Sequence, residues 1–205
     1  MKKQMFLAGH RRSGTNFATA LLRTNLEVDV VAVDKHRWYD NDPDRRPLIY
    51  LYRFPFDTFS SLYDWGSRHW FDKQTTSRMQ FLKAGPMVGD RMFPGEGAVS
   101  YWKRHVSEWM AYGNSDSLFC IRYEDLVLRG SQVLNDLSQK LQIPRKKEYQ
   151  PVLEICGPAG LRQPPRNCYS GSRDFSPEEI RFVMDEVGEL VKSYWLEWFS
   201  MQDHV

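Results

Sequence analysis

The chain has 205 residues, of which 41% are hydrophobic and 26% are charged, a composition typical of a soluble globular protein. Lys and Arg total 28 against 26 Asp and Glu, and this balance argues against a nucleic-acid or membrane surface. Cys120, Cys156 and Cys168 are widely spaced without a metal-ligand pattern, which indicates free thiols. Without a signal peptide or an apolar run of ~20 residues, we expect a cytoplasmic protein with one domain over residues 1–205.

Four short apolar runs predict buried parallel strands at 5–9, 28–33, 48–53 and 117–123. Helical patterns lie near 14–25, 57–70, 97–112, 130–141 and 177–199. The alternation predicts an α/β fold, a single P-loop-like domain with a central parallel sheet flanked by helices. Ligands of such sheets bind outside the carboxyl ends of the strands, so the residues after each strand are the site candidates. The stretch 72–97 lacks sustained periodicity and predicts an active-site loop.

The loop after the first strand has Gly9 and Gly14 at the spacing of a phosphate-binding P-loop. Its backbone N–H groups face an incoming anion, and Arg12 adds a positive charge. Polar side chains that could add donors are those of Ser13, Thr15 and Asn16. Thr15 and Asn16 stand where a triphosphate-binding loop has its lysine and its magnesium-binding hydroxyl, which favours an anion without a metal. The alternative is a capped helix start with surface arginines.

The turns after the second and fourth strands carry a histidine and an aromatic residue. His36 follows the second strand and could act as a base near neutral pH, or it could be an ordinary surface or packing histidine. Tyr123 at the end of the fourth strand, like Phe17 after the first loop, could stack on a nucleotide base or belong to the core.

The third strand ends in an arginine turn. Arg53 closes the strand, Pro55 breaks it, and Asp57 or Thr58 could cap the next helix. An ion pair between Arg53 and Asp57 is the alternative for this turn. Two arginine-bearing turns at one edge of a sheet predict a ligand with two separated anionic groups.

Five segments in order resemble the motifs of sulfotransferases that use 3′-phosphoadenosine 5′-phosphosulfate (PAPS). The 5′ loop PKSGTxW or PRSGT is similar to residues 11–17, and the 3′-phosphate motif RxPxDxxxS is matched at 53–61. The KH segment is similar to residues 35–36, WxxHVxxW is matched at 102–109, and RYEDL at 122–126. The chain is shorter than most eukaryotic members and closer to compact bacterial and phage ones. The late RKGxxGDW loop has only a partial counterpart within 166–173.

The resemblance implies transfer of a sulfuryl group from PAPS, without a metal, to a hydroxyl or amine of a small-molecule or glycan acceptor. It implies that His36 is the general base and that Arg12 stabilises charge on the leaving oxygen. The PAPS-binding residues that it implies are Arg11, Arg12, Ser13, Gly14, Thr15, Asn16, Phe17, Arg53, Ser61, Tyr123, Arg166 and Arg173.

Two other functions fit parts of the sequence. A nucleotide or small-molecule kinase would need a loop lysine and a magnesium-binding carboxylate, which Glu124 or Asp125 could supply. A non-catalytic nucleotide-binding module would bind adenosine 3′,5′-bisphosphate (PAP) without transfer. The stripe of Trp102, His105, Val106 and Trp109 has the spacing of the buried face of a helix.

Overall fold

A computed structural model of the chain describes residues 3–32, 36, 38, 47–84, 96–113, 118–146, 148–156, 162–163 and 168–202. The chain divides into two compact units, Met1–Arg53 with Glu108–Asn167, and Phe54–Ser107 with Cys168–Val205. Lys35, Arg166 and residues 85–95 of the proposed active-site loop lie outside the described residues. A single domain over the whole chain stays a prediction.

The elements follow the predicted order. The strands are β1 Lys3–Gly9, β2 Val28–Val31, β3 Leu48–Tyr52, β4 Leu118–Arg122, β5 Ile155–Cys156 and β6 Arg162–Gln163. The helices are α1 Thr15–Asn25, α2 Pro55–His69, α3 Arg78–Ala84, α4 Ala98–Tyr112, α5 Tyr123–Leu141, α6 Pro177–Tyr194 and α7 Leu196–Gln202, with a short 3-10 helix at Gly171–Asp174. Every strand and helix predicted from the sequence is present, and the α/β fold class is confirmed.

The first unit contains a four-stranded parallel sheet in the order β2-β1-β3-β4. All five residues of β3 are buried, which explains why this strand is a continuous apolar run. Helices α1 and α5 pack against the sheet and against each other. β1 pairs with β2 on one side and with β3 on the other, so the loops that follow β1 and β3 leave the sheet at neighbouring carboxyl ends. This point of reversed strand order is where open α/β sheets bind ligands.

The second unit has an aromatic core between α2, α6 and α7. Phe54 lies 6.0 Å from Trp195 and 5.3 Å from Trp198, and Phe56 lies 5.3 Å from Phe175, all between ring centroids. Pro55 begins α2, where its missing N–H costs no hydrogen bond. Helix α6 begins with a reciprocal capping box between Ser176 and Glu179.

The predicted stripe on α4 forms its buried face. Trp102, His105, Val106 and Trp109 are each fully buried. The Trp109 ring stacks on that of Tyr50 with centroids 4.7 Å apart, which attaches the end of α4 to the sheet of the first unit. The packing interpretation of this motif is therefore confirmed.

The structure differs from the sequence prediction in three details. Residues 72–97 include helix α3, whose length of 7 residues is too short for a clear periodicity. Helical structure begins directly at Tyr123, after β4 ends at Arg122, and the predicted helix from 130 is the part of α5 that follows a kink at Arg129, whose φ is −133°. Neither Asp57 nor Thr58 caps α2, which has Phe54 at its N-cap and no side-chain cap.

Cys120 and Cys168 are free cysteines, as expected. Burial raises the pKa of the Cys120 thiol to about 12, so this side chain stays protonated at neutral pH. Among the described helices, none combines the length and apolar character needed to cross a membrane.

Candidate functional site

The loop between β1 and α1 is closed by two glycines that no larger residue could replace. A Cβ atom on Gly9 would lie 2.5 Å from the carbonyl oxygen of Leu51 and 2.6 Å from Oγ of Ser13. Gly14 is the N-cap of α1 with φ of 92°, and a Cβ atom there would lie 2.3 Å from the ring of Tyr123. Both close approaches and the left-handed backbone require glycine, so the P-loop spacing has a structural basis.

The middle of this loop has the features of an anion site. Arg12, with φ of 67°, and Gly14 both adopt left-handed backbone conformations on either side of Ser13, whose own N–H donates a 3.0 Å hydrogen bond to the carbonyl oxygen of His10. The Ser13 side chain is 1% exposed, and its Oγ has no hydrogen-bond partner in the described structure. Helix α1 begins after Gly14 with neither a side-chain cap nor an acidic residue in its first turn. A buried hydroxyl beside an uncapped helix start fits a bound oxyanion.

His36 is attached to the same loop. The hydrogen bond between its Nδ1 and the carbonyl oxygen of Gly9 is 2.9 Å long. A carbonyl oxygen only accepts, so Nδ1 carries the proton and Nε2 is the basic nitrogen of the neutral ring. The structure therefore places a half-buried imidazole at the carboxyl end of β1, in a tautomer suited to accept a proton.

Arg53 follows β3 and reaches back to the loop. Its side chain is 4% exposed, and NH1 donates a 3.3 Å hydrogen bond to the carbonyl oxygen of Arg12. The guanidinium carbon lies 4.5 Å from the ring centroid of Tyr123, a cation–π contact. The two predicted arginine turns of the sheet thus meet within the first unit.

The two aromatic candidates are buried against each other. Phe17 is 4% exposed and Tyr123 is 2% exposed, and their ring centroids are 5.6 Å apart in an edge-to-face arrangement. This contact joins the start of α1 to the start of α5, so both rings belong to the core of the first unit.

Asp125, one of the two carboxylates considered for a magnesium site, is held by arginines. Asp125 accepts hydrogen bonds of 2.9 and 2.8 Å from Arg122 and one of 2.6 Å from Arg129. Burial raises the pKa of Asp125, but these bonds outweigh it and hold the pKa below its ordinary value. Glu124 is fully buried. In the described part of the chain, no group of three or more His, Cys, Asp or Glu side chains is placed to hold a metal ion.

The remaining candidates of the 3′-phosphate motif lie in the second unit. Ser61 is buried on α2, and Arg173 is exposed in the short 3-10 helix. Asp57, for which no ligand role was predicted, is 2% exposed and accepts hydrogen bonds from the backbone N–H groups of Tyr169 and Gly171. The only signal for this contact was the position of Asp57 inside the RxPxDxxxS motif.

Sequence reasoning also missed His10. This residue follows directly after a buried strand and is 1% exposed, and its Nδ1 lies 2.7 Å from the carbonyl oxygen of Arg11. The contact helps to fix the first turn of the loop. The other predicted loop residues are variably accessible, since Thr15 is buried, Arg11 is half-buried and Asn16 is exposed.

Residues 45–174 match the family model described as the sulfotransferase domain, which covers well over half of the chain. The chain belongs to the sulfotransferase domain family. The match begins after the β1–α1 loop and includes the whole RxPxDxxxS motif.

A solved structure shows that this sulfotransferase shares the fold of a known one. The crystal structure of mouse sulfotransferase SULT7A1 complexed with PAP aligns over 100% of this chain and 88% of the other, with a TM-score of 0.60 and 14% identity. No curated protein matches the chain closely enough to count as a relative.

Proposed function

We propose that this sulfotransferase moves a sulfuryl group from PAPS to a hydroxyl or amine of a small-molecule or glycan acceptor. The observation that carries the proposal is the β1–α1 loop, which combines a buried Ser13 hydroxyl without a partner in the described structure with an uncapped helix start. Together with the absence of a P-loop lysine at position 15, these features suit a phosphate that the protein neutralises without a metal.

Different residues of the first unit would bind the 5′-phosphate of PAPS and stabilise the leaving oxygen. Of the predicted backbone donors from Ser13 to Asn16, the N–H of Ser13 donates to the carbonyl oxygen of His10. The N–H groups of Gly14, Thr15 and Asn16 would bind the 5′-phosphate, with the Ser13 and Thr15 hydroxyls as further donors. Arg12 would stabilise the negative charge that grows on the bridging oxygen. Arginine stays protonated at neutral pH, so Arg12 would act through charge and hydrogen bonding and not as an acid.

His36 would be the general base. The acceptor oxygen or nitrogen forms a bond to sulfur while the bond from sulfur to the bridging phosphate oxygen breaks and PAP leaves. The acceptor proton would pass to Nε2 of His36, since Nδ1 donates to Gly9. The resulting imidazolium keeps the Nδ1 hydrogen bond, so the ring does not have to turn during the reaction.

The remaining contacts are assigned by the motifs. Arg53 and Ser61 would bind the 3′-phosphate, with Arg166 and Arg173 as further candidates. Phe17 and Tyr123 would contact the adenine through the small part of each residue that is exposed, 4% and 2% respectively. Arg11 would add positive charge beside the loop.

A transfer assay tests the proposal. Labelled PAPS is incubated with panels of phenols, alcohols, amines and sugars, with and without a chelator of divalent cations. Transfer to at least one class of acceptor that persists with the chelator supports the proposal. Binding of ATP with magnesium in preference to PAP would indicate a kinase instead, and tight binding of PAP without transfer to any acceptor would indicate a binding module.

A further inference from the structure

The carboxylate of Asp57 has unusual partners for an acid in the first turn of a helix. Such a side chain ordinarily stays in solvent or caps its own helix, but Asp57 is 2% exposed and α2 has no side-chain cap. Its two oxygens instead accept backbone N–H hydrogen bonds from Tyr169, at 2.8 Å, and from Gly171, at 2.5 Å. A buried carboxylate needs such charge-assisted bonds, because desolvation without partners is costly.

The backbone of residues 168–174, called here the late segment, is shaped for this contact. Tyr169 adopts a left-handed conformation with φ of 61°, which is strained for a residue with a side chain. Ser170 follows in a right-handed helical conformation, and this alternation directs nearby N–H groups toward one anion. A Cβ atom on Gly171 would lie 2.6 Å from the Cα atom of Asp57, so only glycine fits there.

Further side chains hold the late segment to its surroundings. Oγ of Ser60 donates a 2.5 Å hydrogen bond to the carboxylate of Asp174, and the Tyr169 hydroxyl donates one of 2.7 Å to Glu197. Arg78 of α3 donates to the carbonyl oxygen of Asp174. The late segment is therefore attached to α2 near both of its ends, and Asp57 provides the charged attachment.

We propose that Asp57 is a positioning residue that sets the late segment beside Ser61 and completes the part of the 3′-phosphate site that this unit carries. Ser61 lies four residues after Asp57 and thus on the same face of α2. The late segment contacts this helix at Asp57 and at Ser60. The inference rests on the proposed function, because it deepens the role of the RxPxDxxxS motif. Asp57 acts through the late segment and does not itself meet the ligand, since a carboxylate would repel a phosphate.

The test compares Asp57→Asn with Asp64→Asn. The first variant keeps the shape of the side chain but removes its charge and replaces one acceptor oxygen with an N–H donor. Asp64 lies on the same helix in an exposed ion pair with Lys73, which makes it a matched control. Amide hydrogen exchange of Tyr169 and Gly171 reports the contact, and dissociation constants for PAP and for adenosine 5′-monophosphate report recognition of the 3′-phosphate.

The expected result is that Asp57→Asn loses protection at both amides and weakens PAP binding by about tenfold or more, the range for a hydrogen bond to a charged group. Binding of adenosine 5′-monophosphate should change little, and Asp64→Asn should resemble the parent. A purely structural role would weaken both nucleotides alike and would overturn the inference. Unprotected amides in the parent, or an unchanged ratio of the two dissociation constants in Asp57→Asn, would also overturn it.

Two further cases have to be distinguished from these results: a variant that does not fold, and a failure of the proposed function itself. If Asp57→Asn does not fold, Ser60→Ala decides the matter, because it releases the other end of the late segment without leaving a buried charge. It should lower the preference for PAP by a smaller factor, and an unchanged preference contradicts the inference. If the parent itself binds PAP no better than adenosine 5′-monophosphate, the 3′-phosphate assignment of the proposed function fails first.

Discussion

The guanidinium carbon of Arg53 lies 4.5 Å from the centroid of the Tyr123 ring, whose edge occupies the space that a side chain at position 14 would need. The same guanidinium donates to the carbonyl oxygen of Arg12. Tyr123 therefore contacts two parts of the candidate site in the first unit: the β1–α1 loop at Gly14 and Arg53, which follows β3. The Tyr123 ring and the Arg12 carbonyl oxygen thus both contact the Arg53 guanidinium.

Replacing Tyr123 should reveal this role. Tyr123→Leu is expected to weaken PAP binding by about threefold or more, because Arg53 loses the aromatic face that holds it. Tyr123→Phe should lose much less, since the ring remains. Isothermal titration calorimetry is carried out with PAP and with 2-deoxyribose 3,5-bisphosphate, which lacks the base. The comparison distinguishes a lost contact with adenine from a lost position of Arg53. Loss of affinity for PAP alone would point to contact with adenine rather than to positioning of Arg53.

The two glycines Gly14 and Gly188 should respond to alanine with opposite signs. Gly14→Ala introduces a strained left-handed residue and a clash with Tyr123, and it should lower the free energy of unfolding by about 2 kcal/mol or more. Gly188 lies within α6, where the nearest atom to a new Cβ is Met184 Cε at 3.4 Å, so Gly188→Ala should raise that free energy by about 0.5–1 kcal/mol. Urea unfolding measures both. A Gly14→Ala protein as stable as the parent would show that the loop packs differently.

His36 and His69 make a matched pair for the catalytic proposal. His36→Ala should reduce kcat by about 10²–10⁴-fold, the usual contribution of a general base, while the dissociation constant for PAP stays nearly unchanged. His69 is exposed at the end of α2, and His69→Ala should leave both quantities as they are. Steady-state kinetics at saturating PAPS decide the point. An unaltered kcat in His36→Ala would remove this residue from the role of base.

Asp125 should make stability depend on pH in the acid range. Burial raises its pKa, but hydrogen bonds from Arg122 and Arg129 prevail and leave the pKa in the folded protein below the ordinary value of 3.8. The ionised form therefore stabilises the fold above that value, and the contribution disappears as the pH falls through the lowered pKa. The difference in unfolding free energy between the parent and Asp125→Asn should shrink between about pH 5 and pH 2. A difference that stays constant over this range would mean that the arginine contacts are not formed in solution.

The fold could be predicted because strand and helix alternate with clear apolar patterns, and β3, buried on both faces, is the plainest example. The residues of the first-unit site were also predictable, because a parallel sheet gathers the ends of its strands at one edge. His36, Arg53 and the glycine loop are close together for that reason.

The contacts of Asp57 could not be predicted, because they join residues 112 and 114 positions apart through backbone N–H groups that carry no sequence signature. Tyr169 is a further obstacle, since its left-handed backbone is unusual for a tyrosine. The role of Tyr123 was obscured in a different way. A helix that starts at the last residue of a predicted strand looks like a continuation of the strand, so the sequence left open whether the Tyr123 ring stacks on a base or belongs to the core.

The long separation between Asp57 and Gly171 has a consequence for biosynthesis. A ribosome releases the first turn of α2 well before residues 168–174 are made, so a nascent chain ending before residue 168 lacks the two backbone N–H groups that donate to the Asp57 carboxylate. The first turn of α2 should therefore reach its final packing only after residues 168–174, in the last fifth of the chain, have been made. Nucleotide binding should therefore develop late in synthesis, and truncated chains should not bind the nucleotide even when all four strands of the parallel sheet have been made.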